Sequence, residues 1–82
     1  MEMIIVEVSV PSISMKCDFK IPTGTKVGDV TTEIVSALEM TQKNVQFDGD
    51  VILCDMDHAK VLNPSKYIAE CNVKDGAHLM IL

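Results

Sequence analysis

The chain has 82 residues, 48% of them hydrophobic, and a formal net charge of −5. That composition fits one domain spanning 1–82 with an aliphatic core, because the aromatic residues are Phe19, Phe47 and Tyr67 alone. Every basic residue is Lys, so the guanidinium fork that grips phosphate or a base edge is missing, and nucleic acid is excluded as the expected partner.

Residues 3–10 alternate, with Ile4, Val6, Val8 and Val10 on one face and Met3, Ile5, Glu7 and Ser9 on the other. β-branched residues at period 2 predict a strand. Pro11 ends it, having no N–H for a ladder. Residues 13–21 alternate as strictly. Ile13, Met15, Cys17, Phe19 and Ile21 oppose Ser14, Lys16, Asp18 and Lys20, which predicts the second arm of an antiparallel hairpin. Pro22-Thr23-Gly24 breaks the strand, and the period then changes. Val27, Val30, Ile34, Ala37 and Leu38 form one helical stripe, so a helix is expected over about 27–40 with Thr25 as its N-cap. Asp29 and Glu33 sit early, where the helix dipole favours them.

The second half is choppier. Met40 to Asn44 reads as a loop, Val45-Gln46-Phe47 as a short strand and Asp48-Gly49 as a turn. Val51 to Cys54 reads as an apolar strand, Asp55 to His58 as a polar turn, and Lys60-Val61-Leu62 as a short returning strand. Asn63-Pro64-Ser65 is a further break, with Ser65 placed to cap a helical turn through Ile68. Asp75-Gly76 leads into a final strand, 77–82. Helix on sheet in this order gives a two-layer α+β domain. The expected core is Val6, Val8, Met15, Phe19, Val30, Ile34, Leu38, Leu53, Leu79 and Ile81.

The order and its local wording resemble the ubiquitin-like β-grasp: a mixed four- to five-stranded sheet with one main helix on one face. Val6-Glu-Val-Ser-Val-Pro11, Ile21-Pro22, Leu53-Cys54-Asp55 and Lys74-Asp-Gly-Ala-His-Leu-Met-Ile-Leu82 resemble more closely the small bacterial proteins of the YukD/EsaB type. The resemblance implies a non-enzymatic, protein-binding module. It would be a cytoplasmic accessory of a type VII (WXG100/ESX-like) secretion system. The sequence stops within its last strand without Gly-Gly, so conjugation through the C-terminus is not expected. The same residues also fit a ubiquitin-like domain excised from a larger protein with an unrelated partner.

The N-terminus has no basic region before its apolar run, and no segment reaches the ~20 apolar residues of a membrane span, so no membrane insertion is expected. Cys17, Cys54 and Cys71 are odd in number and widely spaced, which suits reduced thiols in the cytoplasm. Cys54-Asp55-Met56-Asp57-His58 holds several ligand types, but it has neither the paired spacing of zinc nor the long acidic loop of calcium. A solvated turn with no metal or cofactor is expected there. No Cys–His pair is marked for nucleophilic chemistry, so no catalytic residue is assigned. The Asp48–Asp57 region is acidic and reads as a solvated loop, with a partner-facing edge as the alternative.

The clearest functional signal is surplus apolar surface. Parity turns Met3 and Ile5 outward on the first strand and Met80 and Leu82 outward on the last. In a β-grasp these strands are parallel neighbours, so the four residues are expected to form one protein-binding patch on the open sheet face. The expected occupant is a secretion-machinery protein's cytoplasmic domain or a second copy of this chain.

Overall fold

A computed structural model describes residues 2–42, 46–47 and 51–82. The first alternating run becomes β1, Met3–Val10, and pairs antiparallel with β2, Met15–Pro22, residue against residue from Met3↔Pro22 to Val10↔Met15. β2 starts two residues later than expected. Pro11–Ile13 coil into a 3-10 turn, and Ser14 takes a left-handed φ of 51° while its N–H donates to the Pro11 carbonyl. A tight reversal thus uses residues whose alternation reads as strand.

The helix α1 runs Val27–Thr41 and buries Val27, Val30, Thr31, Ile34 and Leu38 against the sheet. Its entry differs from expectation. Lys26, not Thr25, is the N-cap, and no side chain caps it. The free donors of the first turn are met by distant backbone instead. Val27 N–H donates to the Lys66 carbonyl at 2.8 Å and Gly28 N–H to the Pro64 carbonyl at 3.0 Å. Gly28 permits that approach, because a Cβ there would lie 3.2 Å from the Pro64 oxygen.

The remaining strands are short: β3, Leu53–Asp55; β4, Lys60–Val61; and β5, His78–Ile81. The sheet order is β2-β1-β5-β3-β4, with β1 and β5 parallel at the centre. This is the β-grasp arrangement. Gln46 and Phe47 belong to no strand, while Val45 and the Asp48-Gly49 turn lie outside the described residues. The late helical turn is Ile68–Cys71, with Tyr67 and not Ser65 at its N-cap. The Glu70 carboxylate accepts the Tyr67 N–H, and Ser65 N–H is taken by the Asn63 side chain. Gly76, at φ 85°, makes the turn into β5.

The core is aliphatic, centred on Val6, Val8, Ile34, Leu38, Leu79 and Ile81. Met15 and Phe19 are half-buried and flank it. Both stand on β2, which among the described residues is an edge strand with β1 as its one neighbour, so the helix covers them incompletely. Ile4, Val10, Ile21, Val27, Leu62, Ile68, Val73 and Ala77 join the buried set. Among the described residues no helix is long and apolar enough to cross a membrane.

Candidate protein-binding face

The open face follows from the register. On β1 the even residues are buried, so Met3, Ile5, Glu7 and Ser9 face away from α1. On β5, Leu79 and Ile81 are buried, which turns His78 and Met80 outward with Leu82 continuing that parity. Met80 lies beside Ser9 on β1 and opposite Cys54 on β3. Cys54 in turn pairs with Val61 on β4. Val61, Cys54, Met80, Ser9 and β2's Lys16 therefore make one row across the sheet.

The row below holds Met56, His78, Glu7 and Asp18. Met56 N–H donates to the His78 carbonyl, and His78 neighbours Glu7. The row above holds Ile52 and Leu82, which exchange backbone hydrogen bonds of 3.1 and 3.0 Å. Val61 is 63% and Leu82 62% exposed, and Cys54, Met56, Ala59, Val61, Met80 and Leu82 line one shallow apolar depression of about 290 Å³.

The four expected residues do not form one patch. Met3 and Ile5 are exposed, Ile5 at 51%, but they precede the stretch of β1 that runs beside β5. Ile5 sits four residues from Ser9, about 13 Å along the strand, and Met3 lies farther. Glu7 and His78 stand between. Next to Ile5 the neighbouring chain is the Asp75-Gly76 turn. The Asp75 carboxylate accepts Ile5 N–H at 2.8 Å, and Gly76 N–H donates to the Ile5 carbonyl at 2.7 Å. Met80 and Leu82 share their surface instead with Cys54, Met56, Val61 and Ile52. Alternation in the Val51–Cys54 run could have marked Ile52 and Cys54 as one face. The partner strand that joins them to Met80 is a tertiary choice.

The polar turn after β3 is built rather than merely solvated. Asp55 is 2% exposed, and its carboxylate accepts the Asp57 and His58 N–H groups at 3.0 and 3.3 Å. His58 Nδ1 lies 2.8 Å from its other oxygen. Asp57 reaches across to β5, accepting His78 N–H at 3.0 Å with His78 Nδ1 also 3.0 Å away. The two imidazoles are thus engaged by carboxylates, not by a thiol. Among the described residues no three His, Cys, Asp or Glu groups gather as a metal would need. Cys17, Cys54 and Cys71 are free, and burial, helped by the nearby Glu70 charge, pushes the Cys71 thiol up from its ordinary value.

Asp57's carboxyl is held below the usual range, first by the His78 backbone N–H and then by its imidazole. A depressed folded value means the clasp favours the fold at neutral pH. That contribution fades as pH falls through the lowered value. Because the backbone donor leads, His78→Ala is expected to leave the Asp57 carboxyl still below its ordinary range. A carboxyl-carbon NMR titration reads this directly. Full return to the ordinary value would mean that the ring alone holds it.

The family described as "WXG100 protein secretion system (Wss), protein YukD" matches residues 4–81. The chain belongs to the YukD family. Comparison with curated protein sequences finds no match. Among solved structures, it is similar to the ubiquitin-like domain of the Mycobacterium tuberculosis type VII secretion system protein ECCD1. That match has 15% identity, a TM-score of 0.76, and covers 100% of this chain and 99% of that one. It also matches a protein of the MycP5-free ESX-5 inner membrane complex, at 18% identity and a TM-score of 0.80 over the whole of this chain. The chain spans 21% of that protein's length. Caldiarchaeum subterraneum ubiquitin superposes with a TM-score of 0.74 at 14% identity, covering 98% of this chain and 91% of that one. At such identities the likeness is one of fold, a five-stranded mixed sheet grasping one helix.

Proposed function

We propose that the chain is a cytoplasmic, non-catalytic accessory of a type VII secretion system. It acts by reversible binding, and its partner is a cytoplasmic domain of the secretion machinery. The binding surface is the Met80 end of the open face: Met80 and Leu82 with Cys54, Met56 and Val61. The observation that carries this reading is the contiguity of those side chains in the strand register. An acidic chain of this size gains no solubility from such a surface, and apolar patches of this kind mark interaction sites. Methionines suit an adaptable contact. Membership of the YukD family and the likeness to a domain within an ESX inner membrane complex support the choice of partner.

The test is a titration of the 15N-labelled chain with each soluble domain of the cognate secretion machinery. Amide perturbations should centre on residues 52–56, 61 and 80–82. Met80→Lys is expected to weaken binding at least tenfold, about 1.4 kcal/mol, while Ile5→Lys leaves it intact. Loss with Ile5→Lys but not Met80→Lys would move the site to the far end of β1. Absence of binding to every machinery domain would sink the proposal.

A further inference from the structure

The sheet order leaves β2 at one edge, and among the described residues β1 is its only strand neighbour. Backbone direction along that edge can be read from β1. Glu7 N–H donates to the Ala77 carbonyl and the Ile5 carbonyl accepts from Gly76, so the odd residues of β1 bond toward β5. Its even residues then bond toward β2. In the register Val6↔Phe19 and Val8↔Cys17, the odd residues of β2 answer them. Lys16, Asp18 and Lys20 therefore direct their N–H and C=O groups outward, away from the molecule.

Side chains on this edge fall into two rows. Lys16, Asp18 and Lys20 are exposed on the open face. Met15, Cys17 and Phe19 stand on the helix side, apolar yet half-buried. Lysines on an edge strand commonly discourage further pairing. Here Asp18 sits between them, and that makes the edge complementary to itself.

We propose that β2 pairs antiparallel with β2 of a second copy, with Cys17 on the two-fold axis, joining two sheets edge to edge. Outward donors lie on even residues only, so ladder bonds form only when even residues oppose even ones. Centring on Asp18 sets Asp18 against itself and Lys16 against Lys20, which repel. Centring on Phe19 sets Lys16 opposite Pro22, whose ring replaces the donor and crowds the incoming strand. Centring on Cys17 sets Lys16 opposite Asp18 twice. On the helix side it sets Met15 opposite Phe19 twice. Both kinds of pair are favourable across antiparallel strands, and the apolar pairs cover surface that the monomer leaves half open. The contact is isologous, as closed two-fold dimers require. That self-complementarity selects a second copy over an unrelated extended segment.

Across the axis the two Cys17 residues occupy a non-hydrogen-bonded position, where Cα atoms lie about 4.5 Å apart, within the range a disulfide spans. This gives a positional readout. The interface is small, so a weak, concentration-dependent dimer is expected. Sedimentation equilibrium of the full chain at low salt should detect it. Asp18→Lys should raise its Kd on the order of tenfold, because two attractive pairs become repulsive by symmetry. The double swap Lys16→Asp with Asp18→Lys should restore it. Brief treatment with diamide should yield a covalent dimer that Cys17→Ser abolishes and that Cys54→Ser or Cys71→Ser leaves. A chain monomeric at millimolar concentration overturns the proposal. So does a dimer indifferent to Asp18→Lys, or a crosslink that survives Cys17→Ser. A monomer whose β2 amides respond only to a partner's extended segment would assign the edge to a foreign strand, and would overturn it too.

Discussion

Leu79→Ala is expected to cost about 2–5 kcal/mol in denaturant melts, the largest loss from any single truncation here. Leu79 is fully buried at the middle of the sheet, beside Val8 on β1 and Asp55 on β3, in the same cluster as Ile34 and Leu38 of the helix. Its removal leaves a cavity between two central strands, where the parallel β1–β5 pair has little room to collapse. A domain of this size holds on the order of 4–12 kcal/mol in total, so the variant should lie near its folding limit. Phe19→Ala is the comparison. Read from alternation alone, a fully buried Phe19 ring would cost roughly 3–5 kcal/mol. Half-buried on the edge strand, it should cost about 1–2 kcal/mol, since less apolar area returns to water. Equal losses at the two positions would show that the β2 edge is covered in solution, and a dilution series would reveal whether a second copy covers it.

That contrast shows where local pattern stops. The alternation of β1 and the 3.6-residue stripe of α1 survive intact in the fold, because each period is enforced by one face being buried along the whole element. β3 and β4 carry three and two residues, too few for any period, and their existence depends on β5 arriving alongside. The cap of α1 was illegible for a related reason. Its donors are met by Pro64 and Lys66, nearly forty positions away in sequence, and Thr25 spends its carbonyl on Ile68 instead. Edge and centre are likewise properties of strand order. Nothing in Met15 or Phe19 distinguishes them from Val6 until β2 is seen to have one strand neighbour among the described residues.

The candidate site divides along the same line. Parity alone placed Met80 and Leu82 outward, and the strands run as parity requires. The offset between β1 and β5 was not legible, because a parallel pair has no turn to fix its register. β5 begins beside Glu7, not beside Met3. A shift of four residues is therefore enough to divide one supposed patch into two ends of a face with Glu7 and His78 between them.

Asp55→Ala is the second large effect, expected at about 1–3 kcal/mol, or a fall in Tm of about 5–20 °C for a domain of this length. On polarity the residue belongs to a solvated turn. By position it is the last residue of β3, opposite Leu79, and its carboxylate is turned under the following residues. There it meets two backbone N–H groups and the His58 ring, three donors for one buried charge. Removing it does not simply delete a hydrogen bond. It leaves the Asp57 and His58 amides to find water in a turn that also holds Ala59 at a left-handed φ of 52°, and it loosens the segment that presents Met56 to the open face. Asp55→Asn retains one acceptor of similar size but loses the charge, so it should recover about half of the loss. His58→Ala removes a ring that is 49% exposed and should cost less than either, because the backbone bonds remain. Amide exchange across residues 56–59 should accelerate in the order His58→Ala, Asp55→Asn, Asp55→Ala. A loss below about 0.5 kcal/mol for Asp55→Ala, with the turn still protected from exchange, would mean that water replaces the carboxylate at no cost, and the buried clasp would then have no role in holding the Met80 face together.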